Sequence, residues 1–202
     1  MTIRSGVLIV VFLLTGFTGF ITNANAQSLK VSSDGRYLQQ SNGSPFIWIG
    51  DTAWELFHRL NREEATEYLQ TRKRQGLSVI QAVVLAENDG LRVPNALGDL
   101  PLIDLSPEKP NEKYFNHVDF IVNKAGELGL YVGMLPTWGD KLYSLHPGAG
   151  PVVFNEKNAE MFGEYLGRRY RDKKIIWILG GDRNIDNPEV LDIWRAMARG
   201  LK

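Results

Sequence analysis

Four short apolar runs, each followed by a stretch with helical periodicity, constrain this chain more than any other feature. They are FIWI at 46–49, VIQAVVLAE from Val79, LYVGMLP from Leu130 and IIWIL from Ile175. None shows the polar alternation of a half-solvated strand. Continuous apolar runs of this length suit strands buried on both faces, as in parallel sheets covered by helices. Between the first two runs, DTAWELFHRLNREEATEYLQTRKRQG carries two helix starts of the capping-box type, Thr52 with Glu55 and Asn61 with Glu64, and stops near Gly76. The segment YFNHVDFIVNKAGELG places Tyr114, Val118, Ile121, Ala125 and Leu128 on one stripe. Asn155 caps a helix whose Ala159, Phe162, Leu166 and Tyr170 share a face, and Asn187-Pro188 has the cap-then-proline order of a helix start. The stretch 88–112 holds four of the nine prolines and no periodicity, so it reads as a long loop.

Alternating β and α elements imply a parallel sheet, either open and doubly wound or closed as a (β/α)8 barrel. The first run leads into GDTAW rather than the G-x-G-x-x-G of a dinucleotide fold, which favours the barrel. Eight units take about 250 residues, whereas these 202 residues offer four. The expected fold is therefore α/β, a (β/α)8 TIM barrel truncated after about four βα units. The turn signals Asp34-Gly35 and Asn42-Gly43 add a short antiparallel β lead-in that ends in the first run. Such a chain is either the front of a longer polypeptide, the favoured case, or a half-barrel that a second copy completes.

Arg4, the apolar run GVLIVVFLLTGF and an A-x-A arrangement at Ala24 and Ala26 read as a signal peptide over 1–26, leaving 27–202 for the domain. The apolar core is short for a bilayer span, so no stable membrane anchor is expected after cleavage. With no cysteine, the chain has neither disulfides nor a lipid-bearing residue at the cleavage site. The expected location is periplasmic or secreted. Lys+Arg and Asp+Glu both number 23, and that neutral balance does not favour nucleic acid.

Each apolar run ends in polar and aromatic residues: Asp51 and Trp54, then Glu87, then Trp138 and Asp140, then Asp182 and Asn184. In a barrel these ends would line one mouth. Tryptophan faces offer flat apolar area to the C–H face of a sugar, and carboxylates and amides bind its hydroxyls. Glycoside hydrolysis uses two carboxyl groups, one a protonated acid. Asp182 is the candidate acid: it follows an apolar strand that could desolvate it, and two glycines allow close approach of a ligand. Arg183 beside it could instead lower its pKa. Asp51, Trp54, Glu87, Trp138, Asp140 and Asn184 are the candidate substrate contacts, although Asp51 could serve a helix N-terminus and the tryptophans the core. Glu55 reads as a structural capping residue. His58, His117 and His146 make no zinc spacing, and neither metal nor cofactor is expected.

Together GDTAWELFHRL, QAVVLAENDG, LPTWGDK and IIWILGGDRN resemble the apiosidase-like glycoside hydrolases of family 140, over about 29–202. The resemblance implies a (β/α)8 catalytic domain and a retaining-type hydrolase of pectic side chains of the rhamnogalacturonan II type, with Asp182 as acid/base. It also implies a nucleophilic glutamate on a later strand, beyond these 202 residues, so the chain alone would be inactive. A non-catalytic carbohydrate-binding protein using the same cluster is the alternative, and a metal-dependent barrel hydrolase a weaker one.

Overall fold

The computed structural model describes residues 29–143, 150–181, 183–185 and 187–202. The expected signal segment, 1–26, lies outside them. Strands β1 (Lys30–Val31) and β2 (Leu38–Gln39) pair antiparallel as the lead-in. Strands β3 (Gly50–Thr52), β4 (Val79–Leu85), β5 (Tyr131–Thr137) and β6 (Ile175–Trp177) then form one parallel sheet in chain order. Helices α1 (Leu56–Arg59) and α2 (Arg62–Arg74) link β3 to β4, α3 (Glu112–Glu127) links β4 to β5, and α4 (Glu156–Arg169) links β5 to β6. Helix α5 (Pro188–Leu201) follows β6. Sequential strand order with a helix after each strand is the arrangement of one arc of a barrel.

Register decides which side chains face the helices. Asp51, Ile80, Val132 and Ile175 lie side by side across the four strands, and one residue further along Thr52, Gln81, Gly133 and Ile176 form the next row. Successive rows point to opposite faces. Ile80, Ala82, Val132 and Met134 join the large core built with the helices, whereas Val83, Leu135 and Trp138 form a smaller cluster with Trp54 and Ile178. The first face is the helix side; the second is the one a closed barrel would enclose.

The α3 stripe behaves as its spacing predicts: Tyr114, Val118, Ile121 and Ala125 are buried, and Leu128 packs against them at the margin. Each large apolar side chain so buried contributes roughly 1.5–3 kcal/mol. Helix α4 starts at Asn155 in a capping box with Asn158, and α2 in one between Asn61 and Glu64. Helices α4 and α5 cross at glycines. A Cβ on Gly200 would come within 2.2 Å of the Glu160 carbonyl oxygen, and one on Gly163 within 2.6 Å of that of Met197.

Three expectations fail. The first strand is Gly50–Thr52 rather than 46–49. Phe46 continues the lead-in by donating its N–H to the Leu38 carbonyl and setting its ring on Tyr131, while Ile47, Trp48 and Ile49 stay exposed. Thr52 and Glu55 make no capping box, because Thr52 belongs to the strand and Glu55 flanks a four-residue helix without capping it. Finally, β6 is half-buried rather than covered on both faces, since it is an edge strand among the described residues. No helix among the described residues is long and apolar enough to cross a membrane.

Candidate active site

The carboxyl ends of the four strands come together around the segment 138–143. Trp138 is 5% exposed and packs against Trp54 with ring centroids 5.3 Å apart. Trp54 is half-buried. Of the two predicted sugar platforms, only Trp54 has the exposure that stacking on a sugar requires. The Trp138 indole N–H is buried without a partner among the described residues.

Asp140 is 1% exposed and Lys141 0%, and their side chains pair at 2.8 Å. Asp140 Oδ2 also accepts the backbone N–H of Asn88 at 2.9 Å and of Gly150 at 3.2 Å. Lys141 Nζ donates to the Asn88 carbonyl at 2.8 Å and to that of Gly150 at 3.3 Å. Asn88 has φ 52°, a left-handed conformation uncommon outside glycine. The pair thus grips this residue by both its N–H and its C=O, which over-determines the backbone next to Glu87. Burial pulls the Lys141 pKa down, opposed chiefly by its hydrogen bond to Asp140 and by the charges of Asp140, Glu87 and Asp89. Expected as a sugar ligand, Asp140 is placed as a buried anchor. Its Oδ1 has no partner among the described residues.

Glu87 is half-buried on a cleft of about 490 Å³ between α1 and the loop after β4, shared with Glu55, His58, Arg59, Asp89 and Asn95. Glu55 accepts from His58 Nδ1 at 3.1 Å and from Arg59 Nε at 3.2 Å. On its other side His58 Nε2 meets the Val93 carbonyl at 2.8 Å. Both ring nitrogens therefore face acceptors. The Glu55 hydrogen bond raises the His58 pKa against the opposing pull of burial, and the same bond lowers that of Glu55.

Asp51 lies in the helix-facing row. Its carboxylate accepts from the Tyr68 hydroxyl at 2.7 Å and pairs with Arg72, both on α2. Burial pushes its pKa up, but these partners together hold it below the usual carboxylate value. Asp51 is thus engaged by α2, while it also lines a cavity that includes Trp54. Asn184 is exposed, and its backbone carbonyl accepts from the Tyr143 hydroxyl. Asp182, the candidate acid, and His146 lie outside the described residues. Flanking position 182, Gly181 has φ 141° and Arg183 is half-buried.

Reading of the sequence placed Gly139 in the strand-end cluster without a role of its own, and gave none to Lys141 or Tyr143. Lys141 follows an acid in a polar loop, and nothing in the sequence distinguishes it from a solvated lysine. Gly139 gave the one usable signal, a glycine directly after a strand-end tryptophan. Among the described residues no group of three or more His, Cys, Asp or Glu side chains could hold a metal ion.

Strand order, helix placement and the convergence of strand ends define an arc of a (β/α) barrel of the glycoside hydrolase type. The apiosidase-like catalytic domain matches residues 32–202, and the chain belongs to that family. A glycoside hydrolase family 5 structure from Bacteroides vulgatus is 35% identical, with a TM-score of 0.72 over 86% of this chain and 36% of that one. A structure described as a glycoside hydrolase is 36% identical, with a TM-score of 0.73 over 88% of this chain and 38% of that one. A second Bacteroides vulgatus structure, a putative glycoside hydrolase, is 14% identical at TM-score 0.63 over 88% of this chain and 36% of that one, a likeness of fold alone. The chain spans less than two-fifths of the length of each of these structures. No curated protein matches it.

Proposed function

We propose that this chain supplies the front four βα units of an exported glycosidase that cleaves apiose-containing side chains of pectin, with Asp182 as the general acid/base. The observation that carries this reading is the position of Asp182 in the chain. In the sequence it directly follows Gly180 and Gly181 after β6, and Gly181 lies against the Trp138 ring, in a family of apiosidase-like catalytic domains. As the glycosidic C–O bond breaks, the acid transfers its proton to the departing oxygen, and a second carboxylate stabilises or attacks the anomeric carbon. That second group would come from a later strand of the complete polypeptide. Trp54 offers a half-buried ring, and Glu87 and the Asn184 amide offer polar contacts at the same end of the sheet.

Asp182→Asn in the complete polypeptide tests the assignment. Loss of a general acid is expected to lower turnover of an alkyl apioside by about 10²- to 10⁴-fold while leaving sugar binding largely intact. Unchanged turnover would remove Asp182 from the mechanism. A protein that only binds carbohydrate through the same aromatic and carboxylate cluster would have no turnover to lose.

A further inference from the structure

Residues 93–96, a strap along the Glu87 cleft, are tied to helix α1 through a single residue. His58 Nε2 meets the Val93 carbonyl at 2.8 Å, and the His58 carbonyl accepts the Ala96 N–H at 2.9 Å. Among the described residues these are the hydrogen bonds that join the strap to α1. Its other bonds turn back on the loop itself: Asn95 Oδ1 accepts the Leu97 and Asp99 N–H groups at 3.0 Å each, and the Val93 N–H returns to the Asp89 carbonyl. On its far side the His58 ring meets Glu55 Oε2 at 3.1 Å, and with His58 only 8% exposed the ring has little water to turn to.

Two ring nitrogens facing two acceptors need two protons, and only the imidazolium carries both. Once one is lost, a single N–H must serve two acceptors. A bond to a carboxylate is charge-assisted and stronger than one to a neutral carbonyl, so the remaining proton stays on Nδ1 with Glu55 and the Val93 bond is the one that breaks. We propose that protonated His58 is a pH-sensitive tie: it holds the 93–96 strap on α1, and its deprotonation releases the strap and opens the cleft that bears Glu87. The charged groups around it favour the tied form, since Glu55, Glu87 and Asp89 line the cleft and Arg59 is the one other cation there. On α3, which packs against α1, burial keeps Tyr114 and His117 neutral by raising the pKa of the first and lowering that of the second. Strand β4 carries no titratable side chain. The Glu55 bond lifts the His58 pKa above its ordinary value of 6.5, so release comes as pH rises beyond that value. The effect on substrate binding rests on the glycosidase reading; the tie itself does not.

Hydrogen exchange of the complete polypeptide reads the strap through the Ala96 amide, once corrected for the intrinsic effect of pH on exchange. Its protection is expected to fall about 3- to 10-fold between about pH 6 and about pH 9. Glu55→Gln supplies a neutral amide that donates to the unprotonated Nδ1 and leaves Nε2–H for Val93 at every pH, so protection in that variant is expected to stay level. His58→Gln has no proton to lose in this range and is expected to stay level as well. KM for an alkyl apioside is expected to rise in the parent over the same range by a similar factor and to stay flat in Glu55→Gln. Ala96 protection that does not change with pH in the parent, or that falls as much in both variants, would overturn the tie. A strap that responds to pH while KM does not would leave the tie standing and take the cleft out of the substrate's path, a failure of the glycosidase reading of this cleft alone.

Discussion

Lys141→Met isolates the buried ion pair on which the 138–143 segment depends. Methionine keeps the length and apolar stem of lysine but removes the ammonium. Three acceptors then lose their donor: Asp140 Oδ2 at 2.8 Å, the Asn88 carbonyl at 2.8 Å and the Gly150 carbonyl at 3.3 Å. Asp140, at 1% exposure, is left with two backbone N–H donors and no counter-charge. Breaking a buried pair by removing one partner costs about 3–5 kcal/mol. At roughly 2–4 °C per kcal/mol for a domain of this size, that is a drop of about 6–20 °C in Tm. Denaturant unfolding of the parent and the variant gives the free energy directly. Replacing both partners, Asp140→Leu with Lys141→Met, is expected to recover only the part of the loss that comes from the unpaired charge, because the N–H and C=O groups of Asn88 and Gly150 still lose their partners. Hydrogen exchange adds a local readout: the Asn88 and Gly150 amides bond to Asp140, and Asp140→Ala is expected to deprotect both. A loss below about 1 kcal/mol for Lys141→Met, or amides as protected in Asp140→Ala as in the parent, would refute the pair as an anchor.

Other consequences are as specific. His58 has a raised pKa, so its stabilising contribution is complete below its unfolded value near 6.5 and is lost as pH rises through the folded value. Glu55, with a lowered pKa, loses its share only as pH falls through its own folded value. Unfolding free energies of the parent measured from about pH 6 to 9 are expected to decline, and those of His58→Gln to stay flatter; parallel curves would exclude the pair as the source. Asp51→Asn is expected to cost about 1 kcal/mol through its Tyr68 and Arg72 contacts, with KM unchanged. A raised KM at unchanged stability would return Asp51 to the substrate. Gly200→Ala is expected to force α4 and α5 apart and to cost about 1–3 kcal/mol in denaturant unfolding.

The parts of the fold that could be read in the sequence are those in which one local pattern has one structural solution. Asn61 with Glu64, Asn155 before α4 and Asn187-Pro188 before α5 all fix helix starts through hydrogen bonds within a few residues. Thr52 with Glu55 carries the same pattern and fails, because Ala53 donates to the Gln81 carbonyl and extends strand pairing past Thr52. A long-range bond there overrides a short-range signal. The position of the first strand slips for the same reason: the 46–49 run has strand propensity, but pairing with Val79 begins only at Gly50.

The site divides along a different line. Carboxylates at strand ends are visible in the sequence, but the face each one takes depends on register, and a shift of one residue reverses it. Asp51 sits opposite Ile80, in the helix-facing row, and is drawn to Arg72. Asp140 follows a strand end by three residues and turns inward to Lys141, where burial makes it an anchor for Asn88 and thereby for Glu87. Charge type alone could not separate these fates. What separates them is whether a cation is already within reach inside the fold. Carboxylates already engaged by Arg72 or Lys141 serve the scaffold.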